Sequence, residues 1–214
     1  MTKTTATTLD DLAARAISLA AEGRRTFIAI AGAPGSGKST TVERLAQRIQ
    51  AQMPDATAIL PMDGFHYDDA VLHARGRHPW KGAPDTFDTG GLLSVLRRLR
   101  DANEGSVAVP VFDRDLEISR GSARLIARDT PIILVEGNYL LLNQHPWTDL
   151  HPMFDLTVMI DVPEAELARR LRARWNGYGL SAADIQTKLE HNDLPNGRLV
   201  ATQSIPADLT LTQK

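Results

Sequence analysis

Residues 32–39, Gly-Ala-Pro-Gly-Ser-Gly-Lys-Ser, satisfy the pattern G-x-x-x-x-G-K-[ST] at every fixed position. Glycines in such a turn let backbone N–H groups curl around phosphate oxygens, and a helix beginning there adds unpaired donors and a favourable dipole. Lys38 would reach the β- and γ-phosphates of a nucleotide and Ser39 would hold Mg²⁺. Gly32, Ala33, Pro34, Gly35, Ser36, Gly37, Lys38, Ser39 and Thr40 are therefore the candidate nucleotide-binding residues. Two acids extend the chemistry. Asp63 follows the apolar run 56–61 and has the character of a general base for an attacking hydroxyl, or else of a turn Asp before Gly64. Glu136 follows the apolar run Pro131 to Val135, as an acid that orients Mg²⁺ or its water would, unless it caps a neighbouring helix.

A second group is cationic or aromatic. In the run 168–174, Arg169 with Arg172 and Arg170 with Arg174 fall on two faces of one helix. Such guanidinium groups neutralise a transferring phosphoryl if Gly177 and Gly179 act as hinges, and form a solvated basic face if they do not. Arg120, Arg124 and Arg128 recur at helical spacing, with Asp113 and Glu117 near enough to pair with them. Asp113 and Arg120 are equally readable as acceptor-site residues. His66 beside Asp63 could bind a substrate hydroxyl, although a hydrogen bond within its loop accounts for it as well. Trp80, Trp147 and Trp175 read as packing residues.

These side chains need a scaffold. The run Phe27 to Ala31 reads as a buried strand, and 40–52 carries Val42, Leu45, Ala46 and Ile49 at helical spacing. Further strands are expected at 56–61, 107–112, 131–135, 155–162 and 207–211, with helices at 8–23, 89–100, 163–175 and 181–191. Residues 70–88 suggest no regular element, 113–128 reads as a charged segment, and 192–197 as a turn cluster. Strands alternating with helices imply right-handed crossovers, a mostly parallel sheet covered on both faces, and ligands at the strands' carboxyl ends. The expected architecture is an α/β three-layer P-loop NTPase fold with a five-stranded sheet, one domain over 1–214, and a helical lid at about 166–190.

Composition narrows the function classes. A formal net charge of −2 gives no electrostatic footprint for nucleic acid or an anionic membrane. Zero cysteines exclude disulfides and thiolate chemistry. The polar N-terminus and the absence of an 18-residue apolar run predict a cytoplasmic protein with no membrane insertion. A homodimer is left open.

Together the pieces resemble the P-loop kinases that include uridine kinase, pantothenate kinase and phosphoribulokinase. The matching stretches are the phosphate loop, Met62-Asp63-Gly64-Phe65, Lys81-Gly82-Ala83-Pro84-Asp85-Thr86-Phe87-Asp88, Pro110-Val111-Phe112-Asp113 with Arg120, and Val135-Glu136-Gly137. The overall length and Asn192-Asp193-Leu194-Pro195-Asn196 look most like bacterial fructose-transport-system kinases, a name that implies a sugar acceptor. By this resemblance Asp63 activates the acceptor, Glu136 is the Walker B acid, Arg169 or Arg172 is the lid arginine, and Asn196 with 204–208 lies near adenine. Lys81, His66, Asp113 and Arg120 join Asp63 as acceptor-side candidates. The resemblance implies ATP, Mg²⁺ and a small hydroxyl acceptor such as fructose, with a pantothenate or nucleoside kinase as the alternative. Phe112 stands where uridine kinase has a tyrosine, and the chain is shorter than typical pantothenate kinases; both differences point away from those acceptors. A nucleotide-gated regulatory or transport-associated NTPase is the reading from a different class.

Overall fold

The computed structural model describes residues 4–212, so residues 1–3 and 213–214 of the expected domain lie outside the described residues. In chain order the strands and helices are β1 Thr5–Ala6, α1 Leu9–Ala20, β2 Thr26–Gly32, α2 Lys38–Gln50, β3 Thr57–Pro61, α3 Asp69–Ala74, α4 Thr89–Asp101, β4 Ser106–Asp113, β5 Ile118–Ala127, β6 Ile132–Gly137, β7 Leu156–Asp161, α5 Glu164–Gly177, α6 Ala182–Lys188, α7 Leu194–Gln203 and β8 Leu209–Thr212. Six strands form one sheet in the order β1-β8-β7-β2-β6-β3, with every pairing parallel. The fold is the three-layer α/β architecture expected from the sequence, with one strand more than the five anticipated. The addition is β1, whose two residues pair with Leu209 and Thr210.

Strand β2 is buried along its whole length, as a central parallel strand must be. Its side chains alternate between faces: Phe27, Ala29 and Ala31 join one core, Ile28 and Ile30 the other. The first core takes Leu92, Leu96 and Leu99 from α4, Val200 from α7, and the Tyr139–Leu142 cluster with Trp147. Helices α1, α2 and α5 close the second core through Leu12, Val42, Leu45, Ile49, Leu167 and Leu171. Thr8 caps α1 by accepting from the Asp11 N–H, and Asp88 caps α4 by accepting from Gly91.

Three expectations change. The strand expected at 107–112 forms, but β4 lies outside the main sheet and pairs antiparallel with β5. The segment 113–128 is therefore the turn and second strand of a hairpin; a spacing of four is even, so Arg120 and Arg124 share a face in a strand as readily as in a helix. The turn cluster expected at 192–197 is helical instead. A π-turn over Leu189–Asp193 runs from α6 into α7, and Pro195 sits in the first turn of α7. The polar stretch 70–88 holds α3 from residue 70 onward and two short 3₁₀ turns. No helix among the described residues is long and apolar enough to cross a membrane.

Candidate active site

The phosphate loop joins β2 to α2. Gly35 and Gly37 have φ of 78° and 82°, the left-handed region that glycine enters without strain. A Cβ on Gly35 would stand 2.9 Å from the Leu171 side chain, so the loop is also pressed against α5. Ser36 Oγ is buried with no partner among the described residues, an orphan donor in the concave loop. Lys38, only 9% exposed, donates from Nζ to the Ala33 carbonyl at 3.2 Å and to Asn138 Oδ1 at 2.5 Å. Burial pushes its ammonium below the ordinary lysine value, against the pull of Glu136 and Asp63.

Strands β2, β3 and β6 are neighbours, and that adjacency gathers the acids. Ser39 Oγ, in the first turn of α2, donates to Glu136 Oε1 at 3.1 Å. Glu136 is pushed above the ordinary glutamate value, first by burial and then by the charge of Asp63. Asp63 sits on the 3₁₀ turn Met62–Phe65 that follows β3. Burial acts to raise its carboxyl, but His66, Arg114, Lys38 and Arg174 outweigh that effect and hold it below the ordinary aspartate value. Arg114 Nη2 donates to Asp63 Oδ2 at 2.8 Å.

Two cavities meet at Asp63. The first, about 400 Å³, is lined by the phosphate loop, Lys38, Ser39, Glu136, Asn138, Arg170, Arg174 and Tyr178. The second, about 150 Å³, is bounded by His66, Lys81, Phe87, Phe112, Lys188 and Asn192, and both share Asp63, Arg114, Asn138 and Arg174. A third, more apolar hollow of about 510 Å³ lies on the other side of the loop, between Ala33, Leu167, Gly197 and residues 204–207.

Most of the sequence-expected residues converge. His66 donates from Nδ1 to the Asp63 carbonyl at 2.9 Å, and its ring packs 4.0 Å from Phe87 and 4.8 Å from Phe112. It is both loop-bonded and a wall of the second cavity, and burial pushes its imidazole down toward the neutral form. Lys81 borders the same cavity while donating to Asp69 Oδ1 and the Glu117 carbonyl. Others fall elsewhere. Asp113 and Arg120 pair with each other at 3.3 Å on the hairpin, and neither borders a cavity at Asp63. Arg169 binds Glu166 with two donors and is exposed, and Arg172 is also exposed; the arginines that reach the phosphate cavity are Arg170 and Arg174, on the opposite face of α5. Asn196 borders the cavity beyond Asp63, hydrogen-bonded to Asn192, whereas Gly197 and 204–207 line the apolar hollow.

The sequence reading missed Arg114, Asn138 and Asn192. Asn138 had a signal, since it continues the strand end that yields Glu136. Arg114 had none, because its reach to Asp63 depends on how the hairpin folds back over the 3₁₀ turn.

The donor set suits what the loop geometry suggests. An unpartnered hydroxyl, left-handed glycines and a buried lysine form a phosphate cradle, and a serine hydroxyl beside a carboxylate offers hard oxygen ligands fit for Mg²⁺. Comparison with known proteins agrees. A profile described as the Phosphoribulokinase / Uridine kinase family matches residues 27–210. The chain is 36% identical to the uncharacterized protein YggC of Escherichia coli K12, over 87% of this chain and 77% of that one. It is 30% identical to C227.14 of Schizosaccharomyces pombe, provisionally named a uridine kinase, over 95% and 90% of the two chains. The crystal structure of a protein from Silicibacter sp. TM1040, provisionally named a fructose transport system kinase, superposes with a TM-score of 0.87 at 36% identity and covers 95% of this chain and 98% of its own. The chain belongs to the Phosphoribulokinase / Uridine kinase family and is a P-loop kinase.

Proposed function

We propose that this kinase moves the γ-phosphoryl of ATP to a hydroxyl of a small metabolite, a sugar or related polyol. The observation that carries the reading is the position of Asp63, at the junction of the phosphate cavity and a second, smaller cavity. Phosphates lie along the loop against Lys38, and the acceptor occupies the space between His66, Phe112 and Asn192. The acceptor oxygen bonds to the γ-phosphorus as the bond to the bridging oxygen breaks; the hydroxyl proton passes to Asp63, and ADP leaves. Mg²⁺, when bound, neutralises charge on the phosphates, and Ser39 with Glu136 would hold it. Arg170 and Arg174 face the developing charge from α5, in a lid of about 166–190 within a single domain. The apolar hollow by Gly197 and 204–207 receives the base of the nucleotide. Phe112 offers no hydroxyl to a nucleoside, and the provisional name of the Silicibacter relative makes fructose the first sugar to try.

An ADP-release screen over sugars, nucleosides and pantothenate, with Lys38→Ala as the blank, tests the reading. Release that rises with a sugar or polyol and vanishes in the blank is the expected result. Release that no small hydroxyl compound stimulates would overturn it.

A further inference from the structure

The cavity beyond Asp63 is richer in positive charge than a neutral polyol requires. Four cationic side chains border it: Lys81, Arg114, Arg174 and Lys188. Lys81 is committed to Asp69 and to the Glu117 carbonyl, and Arg174 also borders the phosphate cavity. Lys188 differs from both. It borders the cavity beyond Asp63 and not the phosphate cavity, and among the described residues no carboxylate lies within ion-pair distance of its ammonium. Its ammonium instead lies 4.7 Å over the Trp175 ring.

The bordering anions do not balance this charge. Asp193 accepts the Trp175 indole N–H at 2.7 Å, and burial favours its neutral form against that bond and the nearby charges of Lys188 and Arg174. Glu117 lies 3.9 Å from Lys81. Asp63 is held by Arg114 through Oδ2, one of the two carboxylate oxygens that can take a hydroxyl proton. Burial pushes His66 toward neutrality, against the pull of the Asp63 charge. A neutral acceptor would leave Lys188 with no carboxylate or phosphate at ion-pair distance and Arg114 on the base.

Building on the kinase reading above, we infer that the acceptor carries an anionic group, a carboxylate or a phosphate, beside the hydroxyl that is phosphorylated, and that Lys188 and Arg114 receive that group. Arg114 then exchanges the Asp63 carboxylate for the acceptor's anion. Asp63 Oδ2 is freed to take the hydroxyl proton, so acceptor recognition and release of the base are one event. Lys188 is a specificity residue in this arrangement, and Arg114 links specificity to the base.

Matched acceptors provide the test: sorbitol against gluconate, glycerol against glycerate, and glycerol against glycerol 3-phosphate, followed by ADP release and by ³¹P NMR of the product. The expected result is a higher kcat/KM for an anionic member than for its neutral counterpart, the glycerate and glycerol 3-phosphate arms separating carboxylate from phosphate. Lys188→Gln should raise KM for the preferred anionic acceptor by about tenfold, the scale of a hydrogen bond to a charged group, with KM for ATP within about twofold. Lys188→Arg should recover most of the loss. Neutral members used as well as or better than anionic ones, or a Lys188→Gln effect equal for both, would overturn the inference and leave the kinase reading standing. No acceptor-dependent release from any of these compounds would count against both.

Discussion

Asp63 and Glu136 face the same cleft, yet their surroundings push them in opposite directions. Cationic neighbours hold Asp63 low, whereas burial and the Asp63 charge raise Glu136. As pH falls, Glu136 therefore takes up its proton before Asp63 does, and the acid limb of kcat/KM should report Glu136. Protons and Mg²⁺ compete for that carboxylate, so raising free Mg²⁺ at constant MgATP should move the limb to lower pH. A limb that stays put would assign it to another group. The phosphate-loop residues, Asp63 and Glu136 were legible in the sequence because each follows an apolar run, and parallel strands deliver their carboxyl ends to one edge. Arg114 and Lys188 were not, since they reach the cleft from a hairpin and from the end of α6, whose placement depends on tertiary packing.

Among the elements, the buried strands β2, β6 and β7 were readable from continuous apolar runs, and α2 and α4 from their apolar spacing. The misread elements share a physical cause. Strand β5 is exposed along most of its length and its arginines fit two periodicities; α7 opens with Leu-Pro-Asn-Gly, a composition that turns also use; β1 is two residues long and gains its pairing only from β8. One side chain ties several elements together. Arg25, just before β2, donates to the carbonyls of Leu99 at the end of α4, Ala127 at the end of β5, Arg128, and Thr130 before β6. Each carbonyl is an acceptor at the end of an element or in the turn after it, and the planar fork of arginine can serve them together. Arg25→Ala should cost about 2 kcal/mol, the scale of hydrogen bonds to a charged group, or roughly 4–8 °C in Tm by thermal melting. Arg25→Lys should recover only part of this. An alanine variant that melts with the wild type would show that water replaces these bonds freely.

For the whole molecule, one parallel sheet with β2 at its centre decides the division of labour. In the function proposed above, phosphates would be received where β2 turns into α2, the base of the nucleotide on the α7 side, and the acceptor on the side of β3 and the hairpin. The family relation fixes the first of these roles as that of a kinase, and the two cavities meeting at Asp63 support the last. That meeting point is testable in a single comparison of the wild type and Asp63→Asn, with acceptor-dependent ADP release and ATP affinity by calorimetry measured on the same preparations. General-base loss predicts that transfer falls by about 10²–10⁴-fold, while ATP affinity changes by no more than about threefold. Transfer that survives, or transfer and ATP affinity lost together, would contradict the assignment of Asp63 to the acceptor.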